Sequence, residues 1–255
     1  MAQKIMTWKK WAVVAAMLLI IAGACVGLYS RYARRTVASV ELPRGVYTVY
    51  GIDISAHNDT IDFEAAKNSI DFVFVKATEG ATWKDRMFDY NYAEAKKAGL
   101  KVGAYHFFRF DRSGEAQAIN LREAIEFKDL DFPVVIDIED HGNAVEVKPE
   151  IVRSRLEKMV NMLQRYSIDV MFYSNKKGYY KYVGALYGGY PLWICSFTNP
   201  PIGEEWTFWQ YSHEGMIPGC KRQLDLNVYN GSVEDFEAYI DAYKQSQPQR
   251  VKGVL

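Results

Sequence analysis

Two carboxylates one residue apart, Asp137 and Glu139, close an apolar run, Phe132-Pro-Val-Val-Ile-Asp-Ile-Glu-Asp140. Val134, Val135, Ile136 and Ile138 are β-branched, and Pro133 suits a strand's first position, so the segment reads as a buried strand. Side chains alternate along a strand, which puts Asp137 and Glu139 on one side with Cα atoms roughly 6.6 Å apart. Carboxylates that close repel, and one of them holds its proton more tightly. An acid and an ionised partner then coexist near neutral pH, which suits general acid chemistry. A strand running into an acidic surface loop is the plain alternative. A metal site is a third reading, although no His or Cys stands at ligand spacing.

The elements that must position this pair follow from pattern. Strand-like runs cover residues 49–55, 71–78, 101–108, 169–174, 191–197, 206–212 and 224–228, besides the central one. Helical stretches alternate with the earlier strands. They cover 63–69, a run to Ala98 behind a Thr82/Asp85 capping box, and 113–127. A further helix opens at Pro149, with Ile151, Val152, Leu156, Met159, Val160 and Leu163 on one face. Ser232 caps a final helix, with Asp235 three residues on. This alternation predicts an α/β architecture. Asp53, Lys76, Glu79, Tyr105, His106, Asp137 and Glu139 fall at the C-terminal ends of strands, the edge where barrel active sites assemble. Toward the end the helical spacers vanish, unlike an ordinary eightfold barrel.

In Leu224-Asp-Leu-Asn227, Asp225 and Asn227 share a face opposite the leucines. If the sheet closes, this last strand lies beside the first, which carries Asp53. A surface turn before Asn230-Gly231 is the alternative for Asp225. Tyr105, Tyr173 and Trp209 are candidates for stacking on a ring-shaped ligand, although each taken alone reads more readily as core.

The 255 residues carry no net charge, but the balance hides an asymmetry. Residues 1–40 hold Lys4, Lys9, Lys10, Arg31, Arg34, Arg35 and no acid; of the 31 Lys and Arg, 25 remain beyond them against 31 acidic residues. An acidic domain is a poor nucleic-acid binder. Residues 11–29 are uncharged and almost wholly apolar, long enough as a helix at about 1.5 Å per residue to span a hydrocarbon core. They read as an uncleaved membrane anchor. Cleavage after Ala22-Gly23-Ala24 and acylation at Cys25 are the competing readings. The chain thus divides into 1–30 (anchor or signal), 31–47 (linker), 48–245 (one domain) and a polar tail, 246–255. Cys195 and Cys220 stand open between a disulfide and free thiols.

Gly51-Ile-Asp-Ile-Ser55, Phe74-Val-Lys-Ala-Thr-Glu-Gly80, Gly103-Ala-Tyr-His-Phe107, Pro133-Val-Val-Ile-Asp-Ile-Glu139, Trp209-Gln-Tyr-Ser212 and Leu224-Asp-Leu-Asn227 occur in that order. Together they resemble the family 25 glycoside hydrolases, the N-acetylmuramidase lysozymes. The resemblance implies an irregular (β/α) barrel of eight strands with fewer helices. It also implies hydrolysis of the peptidoglycan β-1,4 bond between N-acetylmuramic acid and N-acetylglucosamine. By resemblance, Glu139 is the general acid/base and Asp137 supports the substrate's 2-acetamido group. By the same resemblance Asp53 and Asp225 line the cleft. The residues themselves, apart from the resemblance, make Lys76, Glu79 and His106 candidates to support it, and His106 is as readily a structural histidine. The sequence departs from the family pattern at Phe63, where a Trp is usual, at Asn58-Asp59 in place of Gln-Gly, and at Cys195 and Cys220. No cofactor or metal is implied, and the expected state is a monomer anchored through residues 11–29 with its catalytic domain extracytoplasmic. A catalytically silent peptidoglycan-binding domain and a hexosaminidase acting on another amino-sugar polymer are the alternatives.

Overall fold

The β-branched and aromatic runs form strands in the computed structural model, which describes Met17, Leu18, Ile21 and residues 46–247 other than 144, 199, 200, 202 and 204. The strands are β1 (Tyr50–Ile54), β2 (Phe72–Glu79), β3 (Trp83–Lys84), β4 (Lys101–Phe107), β5 (Val134–Asp137), β6 (Val170–Asn175), β7 (Leu192–Cys195), β8 (Phe208–Gly215) and β9 (Leu224–Tyr229). Eight of them close into a barrel in the order β1-β9-β8-β7-β6-β5-β4-β2, with β2 returning to β1 and β3 added as a hairpin on β2. Neighbours from β1 through β2, β4, β5, β6 and β7 to β8 are parallel, whereas β9 runs antiparallel to both β8 and β1. Among the described residues no helix lies between β7, β8 and β9; β8 and β9 are antiparallel neighbours, which need only a short connection.

The helices are α1 (Phe63–Ala66), α2 (Phe88–Lys97), α3 (Gly114–Ile125), α4 (Pro149–Arg165), α5 (Lys176–Gly178), α6 (Gly184–Tyr187) and α7 (Val233–Ser246). Pro149 opens α4, and Ser232 caps α7 in a capping box with Asp235. Three expectations are corrected. Asp85 does not start a helix: its carboxylate accepts from the backbone N–H groups of Ala56 and Met87, β3 intervenes, and α2 begins at Phe88. Ile151 is 44% exposed, so the buried face of α4 is Val152, Leu156, Met159, Val160 and Leu163. A helical segment also separates β6 from β7, its middle turn, Tyr179–Val183, of π type.

Residues 39–255 form one compact unit and 1–38 another, of which only Met17, Leu18 and Ile21 are described. The expected anchor, 11–29, therefore lies almost wholly outside the described residues, as does the tail beyond 247. Among the described residues no helix is long and apolar enough to cross a membrane. Cys195 and Cys220 are free thiols.

Alternation along the strands sorts the core into two layers. Ile52, Val73, Val102, Ile136, Phe172, Ile194 and Trp209 face outward under the helices. Phe72, Phe74, Val135, Met171, Trp193 and Phe208 face the barrel interior, joined by Phe132 and by Phe236 and Ile240 from α7. Rings meet there closely, Phe74 stacking on Trp193 with centroids 4.5 Å apart. Such a narrow bore accommodates large rings only where neighbouring inward positions carry no side chain. Gly51 and Gly103 supply that room, since a Cβ there would lie 2.4 Å from the Phe72 ring and 2.3 Å from that of Phe74. With α7 packed against the floor, the opposite end is left for polar side chains.

The expected outcome for Gly103→Ala is a folded but destabilised protein, by about 1–3 kcal/mol as for other overpacked cores, read from a thermal or urea melt. An unchanged melt would show that the barrel interior is looser than these contacts require.

Candidate active site

The inward positions one step above the aromatic floor are polar. Asp53 is the penultimate residue of β1, Asp137 ends β5, Gln210 lies on β8, and Asp225 and Asn227 lie on β9. Because β9 is antiparallel, its beginning reaches the edge where the other strands finish, and Asp225 pairs in register with Asp53. The β5 ladder continues past its last assigned residue, Phe108 N–H donating to the Asp137 carbonyl and Ile138 N–H to that of Tyr173. Glu139 therefore keeps the inward phase of Asp137, while Ile136 and Ile138 are buried under the helices. Asp140 is different: it accepts from Lys181 Nζ at 2.9 Å and Tyr182 Oη at 2.5 Å, anchoring the π turn. Asn143 secures the following loop, donating to the Glu139 and Phe108 carbonyls and accepting from Phe110 N–H.

Burial and like charge act together on these acids. Burial, and then the neighbouring Glu139, push the Asp137 carboxyl well above the usual range, while Lys76 opposes. Its Oδ1 is buried with no hydrogen-bond partner among the described residues. Glu139 is also raised, first by burial and further by Asp53 and Asp140, with His141 pulling the other way. Asp225 is pushed up to about 8 by burial and the charges of Asp53 and Glu139. Asp53 rises to about 6, burial outweighing hydrogen bonds from Asn227 and Gln210. Each carboxylate feels the others, so the proton count belongs to the cluster.

Lys76 and Glu79 are three apart, and in an unbroken strand they would face opposite ways. The β2–β4 register shifts between Lys76 and Thr78, a bulge that re-aims the strand end. Lys76 Nζ then reaches Glu79 Oε2 at 2.8 Å, and Arg109 meets Glu79 Oε1 at 3.3 Å. The Lys76 ammonium also lies 5.0 Å from the ring centroids of both Trp83 and Phe107. Trp83, 43% exposed, carries an accessible aromatic face at this rim.

Tyr105 and Tyr173 face the carboxylates, whose charges, after burial, hold both phenols well above the ordinary value. His106 and Trp209 do not join them. His106 follows Tyr105 on the same strand and must point outward. It is fully buried between Thr78 Oγ1 at 2.7 Å and Gln117 Oε1 at 3.1 Å, and burial lowers it to about 4. It is a neutral structural histidine. Trp209, flanked by inward Phe208 and Gln210, packs in the outer layer and donates to the Ser196 carbonyl at 2.9 Å. Asn227 joins Asp225 on the inward face as alternation predicts. Gln210, Trp193, Trp83, His141 and Asn143 belong to the site without standing out in the sequence, although Gln210 lies inside the Trp209-Gln-Tyr-Ser212 motif. Cys195 also faces inward, its thiol pushed up to about 12 by burial.

Residues 52–220 match the family described as Glycosyl hydrolases family 25. The chain is 31% identical to the protein YegX of Escherichia coli K12, over 84% of this chain and 82% of that one. It is 31% identical to Lysozyme M1 of Streptomyces globisporus, over 75% of this chain and 71% of the relative. Its fold matches that of a family 25 glycosyl hydrolase from Bacillus anthracis with a TM-score of 0.69 and 34% identity, covering 78% of this chain and 96% of that one.

Asp225 keeps its proton to about 8 when folded but releases it near the ordinary carboxylate value when unfolded. Between those values the folded state binds more protons, so stability falls as pH rises through the window. Calorimetry should show the wild-type melting temperature dropping from pH 5 to pH 8, and Asp225→Asn should flatten that drop. Parallel wild-type and variant curves would contradict the placement of Asp225 among the other acids.

Proposed function

The chain belongs to glycosyl hydrolase family 25, and from that premise we propose that it cleaves the peptidoglycan β-1,4 bond between N-acetylmuramic acid and N-acetylglucosamine with Glu139 as general acid/base. The chain is a glycosidase of the lysozyme kind, and peptidoglycan is the substrate its family relationships support. The observation that carries the finer reading is the pair Asp137 and Glu139, on successive inward positions at the open end of a closed barrel, facing Asp53 and Asp225.

Burial raises both carboxyls and the charge of Glu139 raises Asp137 further, so the pair favours sharing a proton over ionising twice. The unpartnered Oδ1 of Asp137 suits the N–H of the substrate's 2-acetamido group. That donor favours the ionised form of Asp137 and so moves the shared proton to Glu139. Glu139 then protonates the glycosidic oxygen as the C1–O bond breaks. The acetamido carbonyl oxygen bonds to C1, and Asp137 balances the positive charge that develops on the acetamido group. Water, deprotonated by the Glu139 carboxylate, opens this intermediate and restores the proton, with retention at C1. Tyr105, Tyr173 and the exposed Trp83 offer faces for sugar rings.

Glu139→Gln should reduce turnover on purified peptidoglycan by about 10²–10⁴-fold with an unchanged melt, and Asp137→Asn should be comparably damaging. Mass spectrometry of the wild-type digest should show N-acetylmuramic acid at the new reducing ends. Near wild-type rates for Glu139→Gln would sink the assignment, and reducing-end N-acetylglucosamine would overturn the choice of bond.

Residues 11–29, unbroken by charge, further support an uncleaved anchor that holds the domain outside the cytoplasm. The full-length protein should then fractionate with membranes and retain residues 1–24 on N-terminal sequencing. A mature N-terminus at Cys25 would replace the anchor with a processed signal or lipid attachment.

A further inference from the structure

Asp53 differs from the other three carboxylates in how it is held. Gln210 Nε2–H and Asn227 Nδ2–H both donate to its Oδ2, each at 2.8 Å. The two amides are register partners on β8 and β9, so they approach one oxygen side by side. Each is locked from behind: Trp193 Nε1–H donates to Asn227 Oδ1 at 2.8 Å, and Tyr173 O–H donates to Gln210 Oε1 at 2.7 Å. An indole N–H can only donate, so the Asn227 atom facing it must be the oxygen, and the amide's N–H₂ must face Asp53. Gln210 and Asn227 are themselves almost or fully buried, and neither can turn without orphaning a partner, which costs about 1–3 kcal/mol.

We infer that Gln210 and Asn227, oriented by Tyr173 and Trp193, are positioning residues that hold Asp53 as the fixed negative charge of the cleft. Two donors fill Oδ2, so a proton can go only to Oδ1, and both hydrogen bonds are stronger to the charged form, which the arrangement therefore favours. The inference rests on the proposed acid role of Glu139 and adds to it a charge that, after burial, raises that acid. Titratable groups face Asp53 from every side: Asp225 on β9, Asp137 at the end of β5 with Glu139 just beyond it, Tyr105 on β4, Tyr173 on β6 and Cys195 on β7, while Lys76 on β2 acts on Asp137 and Glu139. His141 and Asp140 act on Glu139 from its own loop. Asp53 sits at about 6 even with both donors in place, so it is ionised at neutral pH by a narrow margin. Losing a donor lets it protonate, and the charge that raises Glu139 disappears.

The test compares wild type, Gln210→Met and Tyr173→Phe, the last removing only the hydroxyl that orients Gln210. In each variant the alkaline limb of the kcat–pH profile on peptidoglycan should move down by about one unit, the scale of a neighbouring-charge effect. Carbon-13 NMR of labelled aspartate should show Asp53 titrating higher in the same variants, a readout independent of turnover. A uniform loss of rate with an unmoved limb and an unmoved Asp53 titration would reduce these residues to packing and overturn the inference. If Gln210→Met fails to fold, Tyr173→Phe carries both readouts. A wild type with no muramidase products would reject the proposed function, while the NMR shift would still decide whether Asp53 is held this way.

Discussion

Repulsion among carboxylates in a recess with little water is the constraint to which the rest of this domain answers. Two such charges about 4 Å apart oppose each other by about 4 kcal/mol at the effective dielectric of a protein surface, and more when buried deeper. A charge-assisted hydrogen bond returns only about 1.5–3 kcal/mol. Ionising all of Asp53, Asp137, Glu139 and Asp225 is therefore unfavourable, and the fold retains protons instead. Burial raises all four, and the charges of neighbouring carboxylates add to it for Asp137, Glu139 and Asp225. Chemistry that needs a protonated acid at neutral pH becomes available because the protein cannot tolerate its absence.

Such a recess needs rigid walls, and the barrel interior supplies them. The polar layer rests on Phe74, Trp193 and Phe208, with Phe236 and Ile240 of α7 below, so water reaches the acids from one end only. Rings of that size fit because Gly51 and Gly103 leave the bore open. Trp193 belongs to both regimes: its ring stacks in the floor while its N–H orients Asn227. The bulge after Lys76 tucks the cleft's lysine against Glu79, which limits how far its positive charge offsets the acid cluster.

Much of this was legible in the chain. Alternation placed Asp137 with Glu139 and Asp225 with Asn227, and the missing helical spacers foretold the irregular last third of the barrel. What alternation does not provide is the absolute phase of a strand buried on both faces, because both sides are apolar. Trp209 shows this: its ring suits the cleft as well as the core, and only the structure puts it in the outer layer, with Gln210 beside it facing the acids. Tyr105 and His106 carried a usable signal: adjacent residues on a regular strand cannot both point inward. The β2 bulge, the β3 hairpin and the π turn were not visible, since each is a departure from the period on which such reading depends. Asp85 matched a capping pattern but was drawn instead to the backbone of the loop after β1, a tertiary demand with no local signature.

The antiparallel entry of β9 has a consequence in time as well as in space. Barrel closure, the register partner of Asp53 and one of its two amide donors all arrive with residues 224–229, after every other strand has been made. A chain made only as far as the first seven barrel strands is a sheet with two open edges and an incomplete recess. The shared site of the acids cannot assemble before this last strand, and its floor is finished only by the helix that follows.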